Sequence, residues 1–159
     1  MANDVLPADA ARLGKHPKGL YVLFFTEMWE RFGYYLMVGI LLLFLTNTTG
    51  KGLPRAFGAD VVGTFIALVY LTPFIGGLLA DRYLGYIKSI FIGGSLMAAG
   101  YLTIALPGQY TAYIAMGLII IGNGFFKPNI STLLGNMYNR KDLQPLKDNA
   151  FNIFYMGIN

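Results

Sequence analysis

Residues 20–46 read LYVLFFTEMWERFGYYLMVGILLLFLT and form the longest apolar block of the chain. About 20 helical residues cross the hydrocarbon core of a bilayer, so this block is long enough to span a membrane. Its run over 38–45 is continuously apolar and lacks the alternation of apolar and polar residues that a membrane barrel strand has. Since backbone groups in lipid must find partners within the chain, the block predicts a transmembrane α-helix.

Three further blocks have a suitable length, and a shorter one begins near the end of the chain. The four predicted spans and the start of a fifth lie at about 20–46, 60–80, 86–106, 111–134 and 149. The composition agrees, with 55% hydrophobic and 13% charged residues, against about 25% charged in an ordinary soluble domain. The sequence therefore predicts an all-α polytopic membrane protein, with a polar tail at 1–18 and a partial transmembrane bundle at 19–159.

The last eleven residues, 149–159, start a further apolar segment but are too few to cross a bilayer. We therefore expect the chain to be part of a longer protein. The alternative is a natural four-helix protein with a short interfacial tail.

The cationic residues in the tail, in the loops and at the ends of the apolar blocks are unevenly divided between the two ends of the predicted helices. Eight lie at the end that includes the N-terminus, namely Arg12, Lys15, Lys18, Arg82, Lys88, Arg140, Lys141 and Lys147. The opposite end carries two, Lys51 and Arg55. By the positive-inside rule the N-terminus lies in the cytoplasm, and we expect a multi-pass protein of the bacterial inner (plasma) membrane.

The composition also excludes several kinds of chemistry. The chain has no cysteine and one histidine, His16, so it lacks a disulfide framework, a thiolate nucleophile and a Cys/His metal site. The charged residues lie between the apolar blocks without a nucleic-acid motif, so we expect no nucleic-acid partner. An enzyme with an intramembrane acid–base pair has no nucleophile, metal or cofactor motif to support it. We therefore expect no enzymatic activity, no metal and no cofactor.

Three charged residues lie inside the first predicted helix: Glu27, Glu30 and Arg31. A charge at the centre of a membrane helix costs about 2.5–3.5 kcal/mol on insertion scales, and such residues usually mark a pathway or pair with one another. Spacings of three and four residues place the three side chains on one helical face, which Tyr34 and Tyr35 extend. At about 1.5 Å per residue the cluster lies about 12–18 Å into a core about 30 Å thick, close to the midplane.

Besides Arg31, Lys127 in the fourth predicted helix is the only cation that lies deep within an apolar block, away from its ends. Two acids and one base leave one negative charge in excess, which an ion pair between Lys127 and a glutamate of the first helix would balance. Protonation and this interhelical salt bridge would then compete for one carboxylate, as in a proton-coupled switch. The alternative is an ion network that only holds the two helices together. Pro128 marks either a functional bend or a packing kink.

Three other features have both a functional and a structural interpretation. Residues 81–85, DRYLG, form either a tight charged turn in which Asp81 caps or pairs with a neighbouring helix end, or an ordinary solvated loop. Asn159 either hydrogen-bonds between helices or faces a ligand. The same two interpretations, a ligand contact or packing, apply to Tyr70 in the second predicted helix.

Four stretches together resemble the proton-dependent oligopeptide transporter family of the major facilitator superfamily. Residues 27–35, EMWERFGYY, match its E-x-x-E-R-F-x-Y-Y signature, and residues 81–85 resemble the superfamily's loop between helices two and three. Residues 122–129, GNGFFKPN, look like the family's fourth helix, and residues 154–159, FYMGIN, resemble its fifth-helix F-Y-x-x-I-N signature. The resemblance extends from about residue 16 to the end of the chain.

This resemblance implies four helices and the start of a fifth from the N-terminal six-helix bundle of a two-bundle transporter. Similar proteins import di- and tripeptides together with protons, by alternating access. The implied partners are a peptide substrate, the lipid bilayer and the C-terminal remainder of the same transporter, with protons as the coupling ion. The implied proton-coupling residues are Glu27, Glu30, Arg31 and Lys127. The implied substrate-binding residues are Tyr34, Tyr35, Tyr70, Lys127 and Asn159. The implied conformational loop motif consists of Asp81, Arg82 and Gly85.

The chain departs from the family's pattern in one place. Many members continue the first-helix motif with Gly-Met-Arg, whose arginine helps to hold the peptide carboxylate, whereas this chain has Leu36, Met37 and Val38. A lysine is not equivalent to that bidentate guanidinium, so either Lys127 binds the carboxylate alone or the substrate preference differs. The alternatives to peptide symport are a same-family carrier of a non-peptide small solute and a non-transporting membrane subunit.

Overall fold

The computed structural model describes residues 15–108 and 110–159, and every regular element within them is helical. The predicted all-α class is therefore confirmed. Residues 1–14, which include Arg12 and most of the expected cytoplasmic tail, lie outside the described residues, as does Gln109 of the third predicted loop.

Five α-helices follow one another along the described chain. They are α1 Lys18–Thr46, α2 Arg55–Leu79, α3 Tyr86–Ile104, α4 Thr111–Met137 and α5 Lys147–Ile158. A π-helical turn, Ala80–Leu84, follows α2, and a 3₁₀ turn, Gln144–Leu146, precedes α5. α2 begins at residue 55 where the apolar block begins at about 60, because a helix continues into the polar interface while the block marks only the hydrocarbon core. For the same reason α4 ends at 137 where its block ends at about 134.

Within the described residues, three helical stretches are long and apolar enough to cross a membrane: Lys18–Thr46, Arg55–Leu84 and Tyr86–Ile104. The fourth predicted span, α4, is not among them although its 27 residues give it sufficient length. Its middle carries Lys127 between two asparagines, Asn123 and Asn129, which lower its mean hydropathy. Both asparagines are buried, so the polar side chains of α4 are accommodated within the protein.

The chain forms two compact units. The terminal unit combines the described part of Met1–Phe32 with Leu133–Asn159, and the central unit is Gly33–Thr132. The core of the central unit is drawn from α1, α2 and α4. Its buried members are Tyr34, Met37, Leu41, Leu45, Phe65, Val69, Ala112, Met116 and Ile119. The four that α1 supplies recur at helical spacing, so α1 presents one apolar face to this core.

Within the central unit, α2 and α4 cross with their backbones in direct contact. A Cβ atom built on Gly76 would lie 2.0 Å from the carbonyl oxygen of Gly124, so no residue larger than glycine fits there. That carbonyl is the one that Pro128, which has no N–H, cannot bind within the helix. The Thr72 hydroxyl also lies 3.0 Å from the carbonyl oxygen of Ile120, which adds a hydrogen bond across the crossing. Thr72 meets Ile120, and four residues later in both helices Gly76 meets Gly124, so α2 and α4 run parallel.

A second glycine-mediated contact joins α3 to α4. A Cβ atom on Gly93 would lie 2.6 Å from the carbonyl oxygen of Gly122, and one on Gly100 would lie 2.6 Å from the side chain of Ile119. The order of these contacts shows that α3 and α4 are antiparallel. Small residues allow membrane helices to approach this closely, and here they make α4 the shared neighbour of α2 and α3.

The terminal unit is held together by polar and aromatic side chains near the start of α1 and the end of α4. The Nδ1 atom of His16 lies 2.7 Å from the hydroxyl oxygen of Tyr138, which is a hydrogen-bond distance. Tyr138 is completely buried. This burial, with Tyr21 as a second cause, raises the pKa of the Tyr138 hydroxyl above its usual value of 10.0. In the same unit, Gly157 of α5 packs against the ring of Phe24 in α1.

Candidate functional site

The three charged residues of α1 form a buried ion cluster in the terminal unit. Glu27, Glu30 and Arg31 are each less than a tenth exposed. Arg31 binds Glu30 with two parallel hydrogen bonds: Nη2 donates to Oε1 at 2.7 Å, and Nε donates to Oε2. The Nε atom of Arg31 also lies 3.6 Å from Oε1 of Glu27. One guanidinium therefore contacts both carboxylates.

The contact between Arg31 and Glu30 is one that the helical spacing does not predict. Adjacent residues on a helix do not ordinarily face each other, yet the long Arg31 side chain folds back onto the neighbouring Glu30. The bidentate fork is the strong, directional form of an arginine–carboxylate pair, whereas 3.6 Å to Glu27 exceeds a hydrogen-bond distance. Arg31 consequently holds Glu30 more tightly than it holds Glu27.

Tyr34 and Tyr35 have different surroundings in the central unit. Tyr34 is 4% exposed and belongs to the core, whereas Tyr35 is 56% exposed. Their rings meet edge to face, with centroids 5.7 Å apart. Successive residues on a helix point about 100° apart, so only one of two adjacent tyrosines can face the core. Tyr35 is therefore the one whose ring remains accessible.

Lys127 and Tyr70 are brought together across α4 and α2. The Nζ atom of Lys127 lies 4.9 Å from the centroid of the Tyr70 ring, within the range of a cation–π interaction. Tyr70 is 63% exposed, and Lys127 is half-buried. The sequence analysis treated these residues separately. The glycines at the crossing, Gly76, Gly77 and Gly124, were the signal that α2 and α4 pack closely enough for such a contact.

The other predicted site residues lie apart from this pair. Asn159 follows the end of α5 in the terminal unit, and its Nδ2 atom donates to the carbonyl oxygen of Tyr155 at 3.2 Å. The predicted ion pair between Lys127 and an acid of α1 joins residues of different units, and it stays a prediction. Among the described residues there is no group of three or more His, Asp or Glu side chains that could hold a metal ion.

The predicted loop motif coincides with the π-helical turn after α2. Asp81 and Arg82 lie within the turn Ala80–Leu84 and are exposed. Gly85 ends the turn with a φ of 75°, a conformation that glycine adopts without steric cost, and its N–H donates to the carbonyl oxygen of Ala80 at 2.8 Å. The next residue, Tyr86, already begins α3. The motif is thus a very short, sharply defined connection.

One polar contact was missed by the sequence analysis, which used Lys51 only as a marker of orientation. Its Nζ atom donates to the carbonyl oxygen of Gly108 and to Oγ1 of Thr111, the latter at 3.0 Å. The lysine therefore joins the α1–α2 connection to the α3–α4 connection within the central unit. It lines a cavity of about 710 Å³ together with aromatic side chains such as Phe44 and Tyr113.

Similarity to known proteins extends over most of the chain. The model of the POT family matches residues 87–159. The di-/tripeptide transporter of Lactococcus lactis subsp. lactis is 44% identical over 149 residues, which cover 90% of this chain and 30% of that protein. This chain belongs to the POT family.

Another transporter and two solved structures are also similar to this chain. The uncharacterized transporter YclF of Bacillus subtilis is 45% identical over 148 residues, covering 91% of this chain and 30% of that protein. A crystal structure of the peptide transporter POT in complex with sulfate matches with a TM-score of 0.85 at 44% identity, over 90% of this chain and 30% of that one. A POT family transporter in complex with 5-aminolevulinic acid matches with a TM-score of 0.85 at 35% identity, with the same coverage.

Membership of the POT family confirms the resemblance inferred from the four motifs. The chain spans about 30% of the length of these relatives. Its helices have the fold of the N-terminal helices of solved POT transporters, and it is an integral membrane protein of a transporter family.

Proposed function

We propose that this chain is the N-terminal part of a proton-coupled symporter that imports di- and tripeptides by alternating access. The observation that carries the proposal is the buried cluster of two glutamates and one arginine in α1. Buried ionisable groups in a membrane helix are costly and ordinarily belong to an ion or proton pathway. The Lactococcus lactis relative is a di-/tripeptide transporter, which supports a peptide substrate.

Proton coupling is assigned to Glu27, Glu30, Arg31 and Lys127. The guanidinium of Arg31 balances one of the two carboxylates that it contacts. The second negative charge requires either a proton or a further cation, and Lys127 is the cation that we assign to it. Uptake of a proton by one acid would release the cation for a new partner, which links protonation to a change of conformation.

Substrate binding is assigned to five side chains: Tyr34, Tyr35, Tyr70, Lys127 and Asn159. A peptide is a zwitterion, so its carboxylate suits the ammonium of Lys127 and its amino end suits the amide oxygen of Asn159. The exposed rings of Tyr35 and Tyr70 support this assignment, because they are available to a ligand. Tyr34, which is buried, would act by holding the Tyr35 ring in place.

Alternating access requires a second half of the transporter. Substrate sites in such carriers lie between two bundles. The first partner that we propose is therefore the C-terminal remainder of the same polypeptide. The second is the lipid bilayer that surrounds the helices. The turn with Asp81, Arg82 and Gly85 would serve conformational change at the cytoplasmic side. We propose protons as the coupling ion without another cofactor, no enzymatic activity, and a cytoplasmic N-terminus in a bacterial inner membrane.

The test is peptide uptake by the full-length protein in proteoliposomes under an imposed pH gradient. Glu30→Gln keeps the shape of the side chain but removes the charge that Arg31 binds. We expect this variant to lose gradient-driven uptake of a dipeptide while peptide counterflow without a gradient persists. Asp60→Asn, an exposed acid of α2, is the matched control and should retain both activities. Driven uptake by Glu30→Gln at the wild-type rate would contradict the coupling assignment.

A second candidate is a POT carrier for a non-peptide small solute. It is favoured by Val38, which stands where many members have the carboxylate-binding arginine. A POT family transporter has been solved with 5-aminolevulinic acid, which shows that a smaller amino acid is bound by that relative. Competition of dipeptides, tripeptides and single amino acids for the same uptake separates the two candidates. Peptide symport requires that the peptides compete best.

A further inference from the structure

Lys127 and Tyr70 form a contact between the ammonium of one residue and the ring of the other. The ammonium lies 4.9 Å from the ring centroid, and energetically significant cation–π pairs occur within about 6 Å. Both residues belong to the central unit, and they come from different helices. The ring face carries no exchangeable proton, so it can hold a cation without taking part in proton transfer.

The close crossing of α2 and α4 determines how far apart the backbones at Tyr70 and Lys127 lie. Tyr70 lies two residues before Thr72, whose hydroxyl reaches α4, and Lys127 lies three residues after Gly124, which touches Gly76. Because the crossing consists of backbone atoms and glycine, it has few side-chain rotamers that could shift the spacing. The crossing therefore sets the positions of the two Cα atoms from which these side chains extend.

The direction of the lysine stem agrees with this arrangement. The contact of Thr72 with Ile120 places Tyr70 nearer than Lys127 to the N-terminal ends of the two parallel helices. Side chains on a helix lean towards its N-terminus, so Lys127 reaches the ring in its ordinary direction.

We infer that Tyr70 is a positioning residue that holds the ammonium of Lys127 over its ring while the carboxylate partner of the lysine is protonated. This inference rests on the proposed function, in which Lys127 loses an anionic partner during each cycle. A cation inside a membrane helix then needs another partner. The ring supplies a neutral one, from which the ammonium can return to a carboxylate of the protein or of a peptide.

Two other roles for Tyr70 make different demands on its side chain. A hydrogen bond to the peptide would require the hydroxyl group, whereas packing would require only the volume and shape of the ring. A positioning role requires the negative electrostatic potential of the ring face. The hydroxyl, the shape and the potential can be changed one at a time.

The experiment measures gradient-driven dipeptide uptake by the full-length protein with Phe, Leu or fluorinated phenylalanines at position 70. Tyr70→Phe keeps the ring face and should lose less uptake than Tyr70→Leu, which should lose about fivefold. Phenylalanines with one, two and three ring fluorines barely change the shape, and the logarithm of the uptake rate should fall with each fluorine. Phe74→Leu, which alters an exposed ring one turn further along α2, is the matched control and should be unaffected.

A double-mutant cycle measured by thermal unfolding gives a result that does not depend on transport. The purified full-length protein is compared with Tyr70→Leu, Lys127→Met and the double variant. The pair predicts that Tyr70→Leu lowers the Tm in the presence of Lys127 and has no effect once the lysine is gone. Additive shifts in Tm, or equal uptake across the fluorine series, would overturn the inference. If the wild-type protein carries no peptide with protons, the proposed function fails, while the cycle still decides whether the pair exists.

Discussion

The ion cluster of α1 and the crossing of α2 with α4 are two contrasting ways to join atoms inside a membrane protein. In the cluster, charged side chains of Glu27, Glu30 and Arg31 meet on one helix, and their interaction depends on protonation. In the crossing, the backbones at Gly76 and Gly124 meet directly, and no titratable group takes part. The chain therefore keeps its titratable contacts, in the ion cluster, apart from its tight backbone contact, at the crossing.

The largest effect should come from breaking the cluster. Arg31→Met leaves two buried carboxylates without their shared guanidinium, which should cost about 3–5 kcal/mol of the free energy of unfolding. Thermal unfolding of the purified full-length protein measures this loss. Arg140→Met is the matched control, because it breaks a surface pair with Asp142 that is largely exposed and should change little. Equal Tm values for the two variants would show that the cluster contributes no more than a surface ion pair.

The next effect should come from breaking the crossing. Gly76→Ala places a methyl group 2.0 Å from the Gly124 carbonyl oxygen, and backbone atoms cannot move aside as a flexible side chain would. Overpacking of this kind should cost about 3 kcal/mol, at the upper end of the usual range. Gly39→Ala, also in a helix of the central unit but with open space around the new methyl group, should be neutral or slightly stabilising. Equal Tm values for the two variants would show that a methyl group fits between Gly76 and Gly124.

The smallest effect concerns the contact between Tyr138 and His16, which lies in the same unit as the cluster. Tyr138→Phe removes the hydroxyl that lies 2.7 Å from His16 and should cost about 1 kcal/mol at neutral pH. Burial raises the pKa of Tyr138, so the folded state favours the neutral phenol. The stability from this group is present below pH 10 and is lost as the pH rises through the higher folded value. The Tm difference between wild type and Tyr138→Phe should therefore shrink above pH 10, and a constant difference would contradict the burial effect.

Much of the fold follows from sequence because the controlling signals are local. A bilayer allows few backbone structures, so each apolar block indicated a helix, and the family motifs indicated the transporter class. The polar centre of α4 illustrates the limit of hydropathy. Lys127 and its flanking asparagines lower the apolar character of a helix that still folds over Thr111–Met137. Composition describes the average of a segment, whereas burial depends on which face a residue occupies.

The candidate site was predictable in its members but less so in its contacts. Residue type and spacing identified Glu27, Glu30 and Arg31, yet the bidentate pair of Arg31 with its neighbour depends on a side-chain conformation that helical spacing does not specify. The contact of Lys127 with Tyr70 depends on the register between two helices. That register is set by which glycine meets which backbone atom, and a single sequence carries no direct record of such pairings.

The turn at Ala80–Leu84 has a mechanical consequence. Only Gly85 separates it from α3, and consecutive Cα atoms are about 3.8 Å apart, so the connection contains almost no slack. By contrast, the eight residues 47–54 separate α1 from α2. We therefore expect a rotation or tilt of α2 to displace α3 as well. Since both helices contact α4 through glycines, we expect the three helices to move together.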